Sequence, residues 1–224
     1  MKAGDIYADE RAAALYDDAN YSGLAGWVMR AGHDLVERPF GSSTKFARCI
    51  EVGAGAGQHF PSVRHTFDKY EITDTSQPML NVARQRFGKR ADVIIRQSSA
   101  TLDDVASDSF DRLIACHVLE HLPEPQSVVQ SWARVVKPGG VISIVLPCDP
   151  GLAWRFGRTL GPRRRALRRG IPYDYVQALE HINSITNLIA IIDHHWPKSR
   201  TDHWWPTRFP LSDINLIYAT NIRV

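Results

Sequence analysis

Four side chains able to carry protons, His117, Glu120, His121 and Asp149, stand just beyond two apolar runs, "FDRLIAC" ending at Cys116 and "GVISIVLP" ending at Pro147. Histidines and carboxylates at strand ends can remove the proton of a reacting hydroxyl, whose oxygen is a poor nucleophile until that proton is leaving. For His121 a packing or capping role competes with catalysis, and for Asp149, followed by Pro150 and Gly151, a plain turn role does. A second constellation lies upstream. "CIEVGAGAGQHF", Cys49 to Phe60, places Gly53, Gly55 and Gly57 on alternate positions directly after a short apolar run. Backbone without Cβ atoms lets the chain turn sharply and lets another molecule approach the main chain, although a simple strand-to-helix connection uses the same residues. A nicotinamide-binding turn usually has its third glycine one residue later, where this chain has Gln58. Asp74 ends "YEITD", where a carboxylate can accept two hydrogen bonds from a ribose diol; capping of a helix that starts near Pro78 is the alternative.

These residues need a scaffold that brings strand ends together, and the pattern supplies one. Between Arg48 and Pro147, strand-like runs ("RCIEVG", "YEITD", "DVIIRQ", "FDRLIACHV", "GVISIVLP") alternate with helical stretches over 58–66, 78–86 and 125–136. Continuous apolar strands separated by helices predict an α/β fold, with a mostly parallel central sheet and helices on both faces. "KPGG", Lys137 to Gly140, ends one helix and launches the next strand. Residues 10–40 read as mostly helical, a lid or side layer. After Asp149 come an arginine-rich helical segment over 152–169, a longer helix over 173–195, an aromatic loop "HHWPKSRTDHWWPTRFP" and a last strand in "DINLIYATNIRV". The expected organisation is a single domain over 1–224: an N-terminal helical lid (1–47), a cofactor-binding core (48–150), a substrate-capping insertion (151–212) and a last strand (213–224).

With 224 residues, 44% of them hydrophobic, the chain can bury one sizeable core. Met1 to Tyr16 has no apolar segment of the secretory type, and the longest apolar runs, such as Val141 to Leu146, fall well short of the roughly 20 residues a membrane span needs. A soluble, cytoplasmic protein is expected. Cys49, Cys116 and Cys148 show no paired spacing and read as reduced, buried thiols. Net charge is only +3, but seven arginines lie between Arg155 and Arg169 with no acidic residue among them. Such a segment is either a solvated face or an attractor of anions: a phosphorylated or lipid-linked sugar near a membrane surface, or a nucleic-acid backbone. Nucleic acid ranks lower, because no interleaved aromatic spacing accompanies the arginines.

Taken in order, "E-x-G-x-G-x-G", "D-x-S-x-x-M-L", "h-x-V-L-E-H-L" and "K-P-G-G", spread over about 48–147, resemble the class I S-adenosylmethionine-dependent methyltransferases, in particular the subgroup with a small methyltransferase domain. That resemblance implies a Rossmann-like fold with S-adenosylmethionine as cofactor. It also implies that the turn at Gly53, Gly55 and Gly57 approaches the methionine part, with Glu51 fixing its amino end. Asp74, with Thr75 beside it, would hold the ribose, Ser99 with Ala100 would border the adenine, and His117 would close the site. Where the family often has Asp-Ala or Asp-Leu, this chain reads "QSSATLDD", so Asp103 is an alternative to Ser99. Less specifically, the tail resembles methyltransferases of bacterial polysaccharide and sugar modification, which implies O-methylation of a sugar or oligosaccharide hydroxyl. His117 and Asp149 are then the favoured catalytic pair, with Glu120 and His121 as further candidates. Glu180, His181 and Asn183 are expected to reach the acceptor, and Trp154 and Tyr21 to contact it. Trp154, Trp196, Trp204 and Trp205 offer flat faces on which sugar rings pack, or are core residues. Asp149, Glu180 and His181 are chemically suitable for a divalent metal such as magnesium, but their spacing assigns no site. Methylation of another small metabolite or of RNA, and a non-catalytic cofactor-binding module, remain the alternatives, and a homo-oligomer is compatible with all of them.

Overall fold

A computed structural model describes residue 21, residues 23–168 and residues 170–224. The parts of the expected lid before Tyr21, together with Ser22 and Arg169, lie outside the described residues.

Helix α1 (Gly23–Glu37) leads into strand β1 (Arg48–Val52), followed by β2 (Lys69–Asp74), α2 (Gln77–Phe87), β3 (Val93–Gln97), β4 (Phe110–Cys116), α3 (Pro125–Val135) and β5 (Val136–Pro147). Helices α4 (Leu152–Leu160), α5 (Pro162–Arg168), α6 (Tyr173–Glu180) and α7 (Ile185–His195) precede β6 (Arg200–Trp205) and β7 (Ile217–Arg223). The seven strands form one sheet in the order β3-β2-β1-β4-β5-β7-β6. β1 to β5 pair in parallel, and β7 runs antiparallel to both β5 and β6. The order reverses between β1 and β4, where open α/β sheets bind ligands beyond the carboxyl ends of their strands. This is the Rossmann-like α/β architecture expected from the sequence, with the sheet mostly parallel and both faces covered.

Strand alternation sorts the core into two layers. Ile50, Val52, Leu113, Ala115, Ile142, Ile144 and Leu146 face α3 and α7, where Trp132, Val128, Leu188 and Ile192 pack on them. On the opposite face Tyr70, Ile72 and Ile114 meet Leu80 and Ala83 of α2, and Val145, Ile217 and Ala219 meet Leu35 and Val36 of α1.

Four local elements differ from the sequence expectation. The helix expected over 58–66 is reduced to one 3-10 turn, Phe60–Ser62, because Phe60 inserts among Tyr70 and Phe87 (ring centroids 4.8 and 5.0 Å) and anchors the connection without an amphipathic stripe. The segment over 152–169 breaks into α4 and α5 at Gly161 and Pro162. The helix expected over 173–195 is broken after Glu180: Asn183 Nδ2 donates to the carbonyls of Leu119 and Leu122 (2.9 and 2.6 Å), and Ser184 caps the new helix by accepting from Asn187 N. Within the expected aromatic loop, Arg200–Trp205 pairs with β7 as an edge strand.

A buried cation crosses the apolar pattern. Arg112, in the middle of β4, is fully buried on the α1 face. Its Nη1 lies 2.7 Å from Glu37 Oε1 at the end of α1, although off the line of an ideal hydrogen bond. Its Nε and Nη2 donate to Ser143 Oγ (3.1 and 2.9 Å), and Nη2 also donates to the Val36 carbonyl (3.2 Å). Burial pushes the Glu37 carboxyl up, but the hydrogen bond with His59 and the charge of Arg112 outweigh it and bring it to about 2. Against an ordinary value of 4.5, the carboxylate therefore contributes stability fully above pH 4.5, and that contribution fades as the pH falls toward 2.

Removing one partner of such a pair leaves an uncompensated buried charge. Arg112→Met is expected to lower stability by about 3–5 kcal/mol in urea denaturation. A loss under about 1 kcal/mol would show that α1 is held by its apolar contacts alone.

Candidate active site

A cavity of about 560 Å³ opens beyond the carboxyl ends of the central strands. Its floor is the turn after β1, the start of the segment after β2 and the residues following β4; α1 forms one wall and α4 to α6 another. Gly53 and Gly55 have φ of +62° and +54°, a region that side chains strain to adopt. Both line the cavity, and a Cβ would sit 2.6 Å from Val118 Cγ2 at Gly53 and 3.3 Å from Met79 Cε at Gly55. The main chain is thus laid bare where the cavity meets the sheet. Gly57, expected to share in that approach, instead faces inward: a Cβ there would stand 2.8 Å from Phe87, so its small size serves the packing of α2.

Asp74 lines the cavity with Thr75. Its Oδ2 accepts from Gly55 N (2.8 Å) and its Oδ1 from Ser76 N (2.7 Å), so the carboxylate braces the glycine turn. The helix cap that competed for Asp74 belongs to Ser76, whose Oγ accepts from Met79 N. Burial pushes the Asp74 carboxyl up against those backbone hydrogen bonds. Ser99 and Ala100 do not line the cavity: Ser99 Oγ shares a hydrogen bond with Thr101 (2.9 Å), and the Ala100 carbonyl accepts from Trp132 Nε1 (2.8 Å). Glu51 reaches the cavity from inside the sheet and is 2% exposed. Burial raises its carboxyl to about 7, against the pull of His59 and of the Tyr70 hydroxyl, which donates to it at 3.0 Å. The bare turn, the raised glutamate and the braced aspartate fit the amino acid and ribose portions of S-adenosylmethionine.

Imidazoles crowd the other end. His117 follows β4 with a φ of +58°, and its Nδ1 lies 3.4 Å from Glu120 Oε1, while Nε2 is buried with no hydrogen-bond partner. Glu120 is 1% exposed and its Oε2 has no partner either. Burial pushes this carboxyl up, but the hydrogen bond with His117 and the positive field of His121, His117 and His181 hold it below the usual range. His121 Nδ1 donates to the Glu180 carbonyl (2.7 Å). His181 Nδ1 lies 2.8 Å from Asp149 Oδ2, off the ideal line, with Trp154 stacked beside the ring.

Two expected roles move. Asp149, favoured as a partner of His117, is buried behind His181 and does not line the cavity; Arg158 Nη1 approaches the same Oδ2 at 3.4 Å. Asn183 is a clamp under the Leu119–His121 turn and does not face an acceptor. His117, Glu120, His121, Glu180, His181, Trp154 and Tyr21 do converge on the cavity. Trp196 is core, Trp204 packs on Tyr218, and Trp205 meets Trp27 edge-on at 4.7 Å. Of the arginine segment, Arg158 and Arg165 line the cavity, whereas Arg163 pairs outward with Asp174 (2.7 Å). The α1 wall of Leu24, Trp27, Val28 and Met29 belongs to the segment expected as a helical lid or side layer, and the residues at the other end of α1 dock it on the sheet.

Residues 50–144 match the family model described as "Methyltransferase domain". A ubiquinone biosynthesis O-methyltransferase of Xanthomonas oryzae pv. oryzae is 30% identical over 97 residues, 42% of this chain and 40% of that protein. A phosphatidylethanolamine N-methyltransferase of Cereibacter sphaeroides is 35% identical over 101 residues, 44% of this chain and 49% of that protein. The match spans less than half the length of either relative. In fold, the chain is similar to the N-methyltransferase NodS of Bradyrhizobium japonicum in complex with S-adenosyl-L-homocysteine, with a TM-score of 0.59, 16% identity, and 87% and 86% of the two chains covered.

A cationic ligand beside Glu51 favours its ionised form, so binding and deprotonation are coupled. With the carboxyl at about 7, the Kd for S-adenosylmethionine is expected to fall about tenfold between pH 6 and pH 8. Glu51→Gln should flatten that dependence in calorimetric titrations, and an unchanged slope would remove Glu51 from the ammonium end.

Proposed function

We propose that this chain, whose residues 50–144 match a methyltransferase domain, uses S-adenosylmethionine to methylate a hydroxyl oxygen of a sugar or oligosaccharide. When bound, S-adenosylmethionine supplies a methyl group on a cationic sulfonium, released to an acceptor oxygen as the carbon–sulfur pair returns to sulfur. Gly53 and Gly55 give it bare main chain, Glu51 meets its ammonium group, and Asp74 lies by its ribose. Placement of two reactants at attack distance is the largest single source of acceleration in such a displacement.

The observation that carries oxygen over nitrogen as the acceptor is the His117–Glu120 pair at the end of β4. An amine needs little help from a base, whereas a hydroxyl must lose its proton. His117 Nε2 is the proton acceptor; Glu120 Oε1, 3.4 Å from Nδ1, orients the ring and stabilises the imidazolium that forms. The left-handed backbone at His117, a cost of about 1–3 kcal/mol for a residue with a side chain, aims the ring where an ordinary strand end would not.

The acceptor class rests on the wall opposite α1. Trp154 and His181 stack at 26° and present flat faces suited to a sugar ring. Arg158 and Arg165, also on the cavity, suit a phosphate carried by that sugar or by a lipid linkage. A second reading is favoured by the apolar α1 wall and by the names of the two relatives: an acceptor with a long apolar portion, such as a prenylated phenol.

Labelled S-adenosylmethionine offered with free, phosphorylated and lipid-linked saccharides, prenylated phenols, aminated lipids and RNA decides among these. Transfer to a saccharide oxygen is expected. Transfer to the phenol alone would replace the sugar, and transfer to an amine would overturn the oxygen assignment. Binding of S-adenosylhomocysteine without turnover on any acceptor would make the chain a cofactor-binding module. His117→Ala should lower kcat about 10²–10⁴-fold and leave S-adenosylhomocysteine affinity unchanged; a parental kcat would exclude His117 as the base.

A further inference from the structure

The geometry points to a divalent transition-metal site built by Glu120, His121 and His181 at the acceptor end of the cavity. Ion binding is independent of the methyl-transfer assignment, while the role given to the ion rests on it.

One ligand atom from each of the three residues lies within 4.8 Å of the others. An ion held at about 2.0–2.2 Å from nitrogen and oxygen separates its donors by about 3–4 Å, so small side-chain rotations close the set. The surrounding contacts already select the atoms. His121 Nδ1 donates to the Glu180 carbonyl at 2.7 Å, and His181 Nδ1 lies against Asp149 Oδ2 at 2.8 Å. His121 is thus held by a hydrogen bond through Nδ1, and His181 turns Nδ1 toward a carboxylate, off the line of an ideal hydrogen bond; this leaves Nε2 of each as the ligand, the way metal-bound histidines are ordinarily oriented by a carboxylate or a carbonyl. Glu120 contributes the independent sign. It is 1% exposed, its Oε1 lies 3.4 Å from His117 Nδ1 and 3.8 Å from His121 Nε2, and its Oε2 is buried with no partner. A buried carboxylate oxygen without a partner calls for a cation or a donor.

The site differs from the set suggested by residue types alone. Asp149 positions His181 and is not a ligand, and Glu180 serves His121 through its carbonyl. A second group, His33, His59 and Cys116, is already committed: His59 is bonded to Glu37 at 3.0 Å and to His33 at 3.1 Å. Two imidazoles and one carboxylate suit ions from Mn²⁺ to Zn²⁺ better than Mg²⁺, which prefers oxygen donors. Three protein ligands leave a position open toward the cavity, where an acceptor hydroxyl can coordinate. The ion then lowers the pKa of that hydroxyl, whose proton passes to His117, a ring that faces the ligand Glu120 through Nδ1 at 3.4 Å.

Tag-free, chelator-treated full-length chain should be titrated with Zn²⁺ and Mn²⁺ by calorimetry and with Co²⁺ by visible absorption, with Mg²⁺ as the comparison. One transition ion per chain is expected, with d–d bands for Co²⁺ and much weaker Mg²⁺ binding. His121→Ala and His181→Ala should each weaken the ion about 100-fold or more, and Asp149→Asn about 10–100-fold through His181, with S-adenosylhomocysteine binding showing that each variant is folded. No saturable ion binding by the parent, or parental affinity in both histidine variants, overturns the site. Normal turnover without any bound ion sinks this inference alone, whereas ion binding without S-adenosylhomocysteine binding sinks the methyltransferase assignment and leaves the site standing.

Discussion

A guanidinium locked inside a β-sheet constrains everything above it. Arg112 sits at a position where the alternation of β4 would call for an apolar side chain, and burial of an unpaired cation there would be far more costly than any contact it could make. The charge is met by Glu37, and Glu37 ends α1, so satisfying Arg112 fixes where that helix lies. Leu35 and Val36 then reach Val145, Ile217 and Ala219, while Gly32 permits an approach in which a Cβ would stand 2.7 Å from Val145 Cγ1. The front half of the same helix brings Leu24, Trp27 and Val28 over the strand ends. The enclosure of the ligand cavity is in this sense a consequence of an ion pair on the far side of the helix.

How much of this was legible in the sequence follows from which interactions are local. The five parallel strands were, because a strand covered on both faces must be apolar along its length, and "RCIEV", "FDRLIAC" and "VISIVLP" have that texture. The glycine turn and Asp74, each with a plainer structural use, were legible through their order and spacing with the later motifs. β6 was not: Arg200–Trp205 is an edge strand, its Thr201 and Asp202 exposed, and six residues of mixed polarity between prolines look like a loop until β7 pairs with them. The helix over 173–195 satisfied the 3.6 period on both sides of its break. Periodicity cannot register that Asn183 finds two better acceptors in Leu119 and Leu122 than the helix could offer.

The site divided along the same line. His117, Glu120 and His121 are fixed by the turn after β4 and landed where their motif put them. Asp149 did not, because the chain leaving β5 turns through Gly151, whose amide bonds back to Cys148, and carries the carboxylate behind His181, a residue some thirty positions later. Gly57 failed for a different reason. Its left-handed φ of +74° is required by the turn, but the direction in which a missing Cβ would have pointed depends on Phe87, which only the docking of α2 supplies. Sequence can announce that a glycine is needed without saying which neighbour needs it.

Glu51 and Glu120 are equally buried, line the same cavity and are displaced in opposite directions. Desolvation acts on both and by itself would raise both. For Glu51, His59 and the Tyr70 hydroxyl oppose burial without outweighing it, and Glu37 adds to the upward push, so the carboxyl rises to about 7 and favours an incoming positive charge. Glu120 has three imidazoles around it, so its charge is already supported. The cavity therefore has two acidic ends with different requirements: one accepts a cation that arrives with a ligand, and the other organises histidines that can hold or move a proton. Separation of carboxylates by environment is how a single cavity holds one in reserve and keeps another ionised at the same pH. Here the partition follows from two short strand-end segments, the glycine turn after β1 and the "CHVLEHL" stretch after β4, which β1–β4 pairing at the sheet's reversal sets side by side.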